Sequence, residues 1–368
     1  IIYVSWNDVE LGALNKIALS GGKPTKLTAE KGIYRTPSYS PDGSKIVYIK
    51  EEGNDDQGFS FCKEAGIYYM NATGGKSMFV GNLGEFPVFN AKGDRILFQT
   101  GGTFFGSLTK ELKSVDLNGR DEQTHIQSKY ANRLVPSPDN KWVAFSLLHK
   151  VYLAPIPPTG QTLNIDNNTS AVPVSQLARD AGINMHWSKN SDKVHWTLGE
   201  EYFSNKIEDR FTFLPNSPDS IPAMDSVGIK INLITKTDKP SGLIALKGAR
   251  IITMEGDKVI ENGTIIIKEN RIETIGTVEE VAIPSGAKVY DLAGKTIMPG
   301  MVDAHAHIGA FRYGLSTQKH WPFYANLAFG VTTAHDPSAH TETVFALSEL
   351  VKSGEMVGPR LFSTGFIL

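Results

Sequence analysis

The sequence predicts a multidomain, mostly β chain in which β-propeller blades and a small β-sandwich precede the start of a (β/α)8 TIM barrel. Three observations predict this fold class. A strand–turn–strand segment recurs about every 50 residues in the first half, as in propeller blades. Short strands with Gly and Asn turns follow. The last part alternates strand-like and helix-like pieces, which favours parallel strands joined by helical crossovers.

Composition sets limits on the function. The 368 residues exceed one ordinary domain, and 40% hydrophobic with 21% charged residues is typical of a folded globular protein. A net charge of -2 without runs of like charge argues against a nucleic-acid-binding surface. The single cysteine, Cys62, excludes an intrachain disulfide and is expected to be a small buried apolar residue. There is no apolar run of 18 residues, so we expect no membrane span.

The repeat occupies residues 1–200. Its four segments are residues 36–49, 86–99, 133–146 and 184–197. Their turn residues are Gly43, Gly93, Asn140 and Ser191, at spacings of 50, 47 and 51 residues. Gly or Asn supplies the positive φ that a two-residue hairpin needs. The spacing predicts about four propeller blades, and residues 1–30 are expected to be the last strands of an earlier blade.

The segment Ser-Pro-Asp-Gly-Ser-Lys-Ile at 40–46 resembles the TolB-like propeller repeat. This resemblance implies a bacterial periplasmic or secreted protein, while a cytoplasmic location stays open. No leader is visible, and the chain opens without Met in an apparent strand. Residues before Ile1 are therefore expected to be missing.

Three further regions follow the repeat. Residues 201–241 are predicted to be a linker that contains one strand, and residues 242–296 a small β-sandwich with a hairpin bend at Glu269-Asn270. Residues 297–368 are predicted to form the first units of the barrel. Their expected elements are a strand ending at a His-x-His pair, a helix over 318–329, a strand over 330–335, a helix over 341–353 and a strand over 359–367.

The His-x-His pair is the main candidate site. Five of the nine histidines fall within 36 residues, and His305 and His307 follow an apolar strand. Strand side chains alternate between faces, so these two imidazoles and Asp303 are expected on one side. Two imidazoles placed in this way can bind one metal ion. Asp303 is expected to support a metal ligand or to hold the local structure.

Residues 242–368 carry a second resemblance, whose motifs lie within residues 247–307. The segments Lys-Gly-Ala-Arg-Ile-Ile-Thr-Met (247–254), Glu-Asn-Gly-Thr-Ile-Ile-Ile-Lys (261–268) and Ile-Met-Pro-Gly-Met-Val-Asp-Ala-His-Ala-His (297–307) resemble the amidohydrolase superfamily. The resemblance is to its imidazolonepropionase and Xaa-Pro-dipeptidase-like branch, and it extends over residues 242–368.

The resemblance implies a metal centre with one or two divalent ions, most simply zinc, held in part by His305 and His307. The family's other metal ligands are a lysine, two histidines and an aspartate, and its catalytic base is an aspartate. By the resemblance, these residues would lie beyond Leu368. His335, at the end of the second strand, is a candidate to contact the substrate or support a ligand. His320 and His340 are expected on the helix surface.

Two functions stay open. The first is a metal-dependent hydrolase of amide-type C–N bonds, acting on a small peptide, a cyclic amide or a related substrate, with the propeller selecting or binding substrates. The alternative is a propeller-based peptide- or protein-binding module with a non-catalytic barrel remnant. The chain as given is expected to be a fragment, inactive alone. Its expected partners are the rest of its own barrel or a second copy of itself.

Overall fold

The computed structural model describes residues 1–54, 59–60, 64–103, 106–231, 234–308 and 318–365. The chain divides into two compact units, Ile1–Leu233 and Ile234–Leu368. The prediction for Cys62 falls outside the described residues. None of the helices in the described ranges is long and apolar enough to cross a membrane.

The first unit consists of successive antiparallel sheets. The first sheet comprises β1 (Ile2–Ser5), β2 (Ala13–Lys16) and β3 (Thr25–Lys26). The second comprises β4 (Ile33–Tyr39), β5 (Lys45–Glu51), β8 (Gly66–Asn71) and β9 (Met78–Gly81), beside a small hairpin of β6 (Gly53–Asn54) and β7 (Phe59–Ser60). The third comprises β10 (Glu85–Phe89), β11 (Arg95–Gly101), β12 (Thr109–Asp116), β13 (Gln123–Lys129) and β17 (Leu163–Asn164).

Two more sheets complete this unit. The fourth comprises β14 (Ala131–Pro136), β15 (Trp142–Leu147), β16 (Lys150–Pro155) and β18 (Ser175–Gln176). The fifth comprises β19 (Ile183–Trp187), β20 (Lys193–Leu198), β21 (Glu201–Lys206) and β22 (Ile229–Lys230), with a short 3-10 helix at Glu208–Arg210. Four sheets of at least four strands, each opening with one repeat hairpin, confirm the predicted propeller blades. The first sheet has three strands, as expected for part of an earlier blade.

The hairpin turns explain the repeat. Gly43, Gly93, Asn140 and Ser191 all have positive φ, between 57° and 72°. Each hairpin loop has four residues instead of the predicted two. In the first hairpin, the N–H of Ser40 donates to the carbonyl of Lys45 at 2.9 Å, and the four residues between them form the loop. The turn residues also join neighbouring blades, because Asn140 Oδ1 accepts from the N–H of Ala91 at 2.6 Å. The repeated position therefore stabilises the turn and the blade-to-blade contact together.

Apolar clusters fill the spaces between successive sheets. Trp196 is 1% exposed and lies directly opposite Phe203 on the neighbouring strand, with ring centres 5.6 Å apart and planes 5° apart. A Cβ atom on Gly182 would lie 2.6 Å from Trp196 Cδ1 and 2.5 Å from Val151 Cγ2. Such close packing makes this cluster sensitive to any change of side-chain volume.

The second unit begins with one mixed sheet. It comprises β23 (Leu243–Ile252), β24 (Val259–Lys268), β25 (Arg271–Thr277), β26 (Lys288–Asp291) and β27 (Thr296–Ile297). The strand β23 lies between β24, which is antiparallel to it, and β26 and β27, which are parallel to it. Glu269, with φ 57°, forms the predicted bend between β24 and β25.

A parallel β-α-β-α-β segment follows. It comprises β28 (Met301–Asp303), α1 (Trp321–Ala328), β29 (Val331–Asp336), α2 (Thr341–Ser353) and β30 (Arg360–Ser363). The strands pair in chain order, all parallel, which confirms the predicted arrangement. Phe323 of α1 and Val344 of α2 are fully buried in one apolar cluster with Ala334 and Leu361 of the strands. Gly354, at φ 87°, ends α2 as predicted.

Candidate metal centre

The His-x-His pair follows the end of β28. The strand stops at Asp303, and His305 lies in the turn that comes next. Asp303 Oδ1 accepts a hydrogen bond from the backbone N–H of His305 at 3.1 Å. Strand alternation is therefore not what pairs the histidines; a side-chain-stabilised turn redirects the chain at the strand end. The carboxylate of Asp303 shapes the segment that carries both imidazoles.

His305 and His307 lie next to each other on the exposed side of this segment. Their ring centres are 5.1 Å apart, and the ring planes are 82° apart. Both residues are exposed, whereas the intervening Ala306 is buried in the apolar cluster. When two imidazoles bind the same metal ion, with metal–nitrogen distances of about 2.0–2.1 Å, their ring centres lie about 5 Å apart. The observed separation is therefore suitable for two ligands of one metal ion.

A buried carboxylate lies behind His307. Asp336, the last residue of β29, is 1% exposed, and its Oδ1 is 3.6 Å from His307 Nδ1. The same oxygen accepts from the N–H of Ser338 at 3.2 Å. A carboxylate at Nδ1 leaves Nε2 of His307 to bind a metal. Asp336 was not predicted to be part of this site. Its position at the carboxyl end of a neighbouring parallel strand was the signal that could have found it.

His335 and His320 hold the backbone of the histidine segment. The carbonyl of His335 accepts from Ala306 N–H at 2.9 Å, and its Nδ1 is 3.3 Å from the carbonyl oxygen of Ala304. His320 Nε2 bonds to the carbonyl of Ile308 at 2.7 Å. The predicted surface position of His320 is wrong, because this residue is only 4% exposed. Its ring packs edge-on against the ring of Phe323, with the ring centres 4.5 Å apart.

The donor set fits part of a histidine-rich metal centre. Within the described ranges, no three His, Cys, Asp or Glu side chains come together as ligands of one ion. His305 and His307 supply two imidazoles on the exposed side, and Asp336 supplies the carboxylate that such ligands commonly have behind them. Two neutral imidazoles are suitable donors for zinc and for other late first-row divalent ions.

Comparison with known proteins gives partial matches. No protein-family model matches the chain. The imidazolonepropionase of Bacillus cereus is 33% identical over 85 residues, which are 23% of this chain and 19% of that enzyme. The crystal structure of phenylurea hydrolase B is 26% identical, covers 34% of this chain and 31% of that one, and has a TM-score of 0.29. TolB from Acinetobacter baumannii is 16% identical, covers 75% and 64%, and has a TM-score of 0.42.

These matches concern parts of proteins. The chain spans about a fifth of the length of this imidazolonepropionase. Part of the chain is thus similar in sequence to imidazolonepropionases, and this similarity supports the amidohydrolase superfamily for the matched region.

Proposed function

We propose that this chain belongs to a metal-dependent hydrolase of amide-type C–N bonds, whose substrate is a peptide, a cyclic amide or a related compound. The observation that carries the proposal is the pairing of His305 and His307, with Asp336 behind them, at the ends of neighbouring parallel strands. The partial similarity to imidazolonepropionases supports the same chemistry. In this proposal residues 297–368 contribute to the metal site, and residues 242–296 supply one sheet of the β-sandwich segment. The propeller selects or binds substrates, and its last sheet takes β21 and β22 from the predicted linker of residues 201–241.

Each residue of the candidate site has a separate task in this proposal. His305 and His307 bind the ion, and zinc suits two imidazoles. Asp336 orients the His307 ring through its Oδ1, which lies 3.6 Å from Nδ1. Asp303 holds the turn that points both rings outward. A divalent ion held there would supply Lewis-acid chemistry, activating a water molecule and polarising the scissile carbonyl. His335 is proposed to contact the substrate, or to support the segment through its contacts with Ala304 and Ala306.

The alternative function is peptide or protein binding by the propeller. An open cleft of about 860 Å³ in the first unit is the observation that favours it. Its lining includes Trp142, His125, Pro155 and Pro157, so it offers apolar and aromatic surface beside polar groups. A periplasmic or secreted location is also proposed, on the resemblance of the repeat alone.

Removal of metal tests the main proposal. We expect that dialysis of the full-length protein against a chelator abolishes hydrolysis of dipeptides and cyclic amides, and that Zn²⁺ restores it, because the metal provides several kcal/mol of transition-state stabilisation. The measurement is steady-state hydrolysis with and without added Zn²⁺. Full activity in verified metal-free protein would contradict the proposal and would favour the binding module.

The Asp336→Asn substitution tests the support of His307. Asparagine keeps the shape but removes the charge behind the ring, so we expect the Zn²⁺ affinity to fall by about 10–100-fold. The measurement is competitive titration with a chromophoric chelator. The control is Asp291→Asn, which changes an exposed carboxylate at the end of β26, and it should leave the Zn²⁺ affinity unchanged. Equal affinities of wild type and Asp336→Asn would exclude this role for Asp336.

A further inference from the structure

A second pair of histidines lies in the propeller. His186 on β19 and His195 on β20 are directly opposite each other across the antiparallel strand pair. Their rings are stacked, with centres 5.0 Å and planes 20° apart. The other face of the sheet carries the apolar cluster around Trp196 and Phe203, whereas His186 is exposed and His195 half-buried. The pair therefore lies on the face of the blade turned away from that cluster.

Each of the two rings has a hydrogen-bond partner at Nδ1. His186 Nδ1 is 2.9 Å from the carbonyl oxygen of Asn184, which can only accept, so Nδ1 carries the proton and Nε2 has a free lone pair. His195 Nδ1 is 2.8 Å from the hydroxyl of Tyr202, which accepts a hydrogen bond in the tautomer that carries the proton on Nδ1. In that tautomer the Nε2 atoms of both histidines have a free lone pair. Metal-binding histidines commonly donate their other ring N–H to a carbonyl or a polar group in this way.

We propose that His186 and His195 form a second metal site, which binds a divalent transition-metal ion such as Cu²⁺ or Zn²⁺. The ring separation of 5.0 Å equals the roughly 5 Å expected for two imidazoles that share an ion. The two side chains project from directly opposite positions on neighbouring antiparallel strands, which is close enough for both to reach one ion. Cu²⁺ binds most tightly, since it leads the affinity order for nitrogen ligands.

Burial lowers the pKa of His195, and the neighbouring His186 and Lys193 lower it further, whereas Asp192 raises it. The lowered pKa favours the neutral imidazole, which is the form that binds a metal. No third His, Cys, Asp or Glu joins the pair among the residues that the structure describes. Water therefore completes the coordination, and the site binds a metal more weakly than a four-ligand structural site does.

Copper titration of the whole chain tests this site. The parent protein for this titration carries the substitutions His305→Ala and His307→Ala, so that the proposed hydrolase site cannot bind copper. We expect one Cu²⁺ per chain, with two nitrogen ligands in the electron paramagnetic resonance spectrum. Adding His195→Ala lowers the Cu²⁺ affinity by at least about tenfold, because the second ligand no longer acts at high effective concentration. Calorimetric titration gives the affinity.

Two further variants make the result decisive. His186→Gln, at an exposed position, removes the other ligand without touching the blade core, and it should weaken binding as His195→Ala does. His149→Gln changes an exposed histidine elsewhere in the propeller and should leave the affinity unchanged. The proposal is overturned if His195→Ala and His186→Gln bind Cu²⁺ as tightly as the parent protein does. It is also overturned if the spectrum shows no pair of nitrogen ligands.

Discussion

We expect that replacement of His305 or His307 by alanine lowers kcat/KM of the full-length protein for the proposed amide substrates by about 10³-fold or more. Each imidazole is proposed to hold the metal ion, and the ion provides several kcal/mol of transition-state stabilisation. Since about 1.4 kcal/mol corresponds to a factor of ten in rate, loss of the ion has an effect of at least this size. The measurement is steady-state kinetics on dipeptides and cyclic amides at saturating Zn²⁺.

The structure predicts that these two substitutions reduce activity without unfolding the protein. The His307 side chain is 58% exposed, and His305 is also exposed, so neither variant removes core packing. We expect their melting temperatures in metal-free buffer to stay close to that of the wild type. His149→Gln, on the propeller surface, is the matched control and should keep full activity. Wild-type turnover in the double variant His305→Ala/His307→Ala would show that these residues do not bind a catalytic ion.

The Trp196→Ala substitution produces the largest loss of stability that we expect. Trp196 is 1% exposed and packs on Phe203 and against Gly182 between two blades. Deletion of its indole removes a large apolar contact area and leaves a cavity. Substitutions of this kind lower the free energy of unfolding by about 3–5 kcal/mol. Differential scanning calorimetry of the whole chain measures the shift of the propeller transition.

A second tryptophan provides the control. Trp321 is 60% exposed at the start of α1, so Trp321→Ala should change the free energy of unfolding by about 0.5 kcal/mol or less. Equal destabilisation by the two substitutions would mean that the cluster around Trp196 is not a packed core.

The propeller could be predicted because its signals are local. Gly43 and Gly93 mark turns that need positive φ, and the apolar runs after them become buried central strands. The loop length could not be predicted in the same way, because it depends on the backbone hydrogen bonds that close each turn. The contact between Asn140 and Ala91 joins residues of neighbouring blades, and no pattern within one repeat indicates it.

The candidate site was predictable only in part. The pairing of His305 with His307 followed from their spacing, although a turn held by Asp303 produces it instead of strand alternation. Asp336 and His320 lie far from the pair in the sequence, and they reach it through strand pairing and helix packing. Local pattern carries no information on such contacts, so a buried histidine was mistaken for a surface residue.

Metal content is the most direct test of the hydrolase proposal. Full-length protein with the single substitution His195→Ala, which silences the propeller site, is compared with the triple variant His195→Ala/His305→Ala/His307→Ala by elemental analysis after equilibration with Zn²⁺. We expect one or two zinc ions per chain in the single variant and a loss of at least one ion in the triple variant, together with loss of amide hydrolysis. Equal zinc content in the two proteins would contradict a metal centre at His305 and His307.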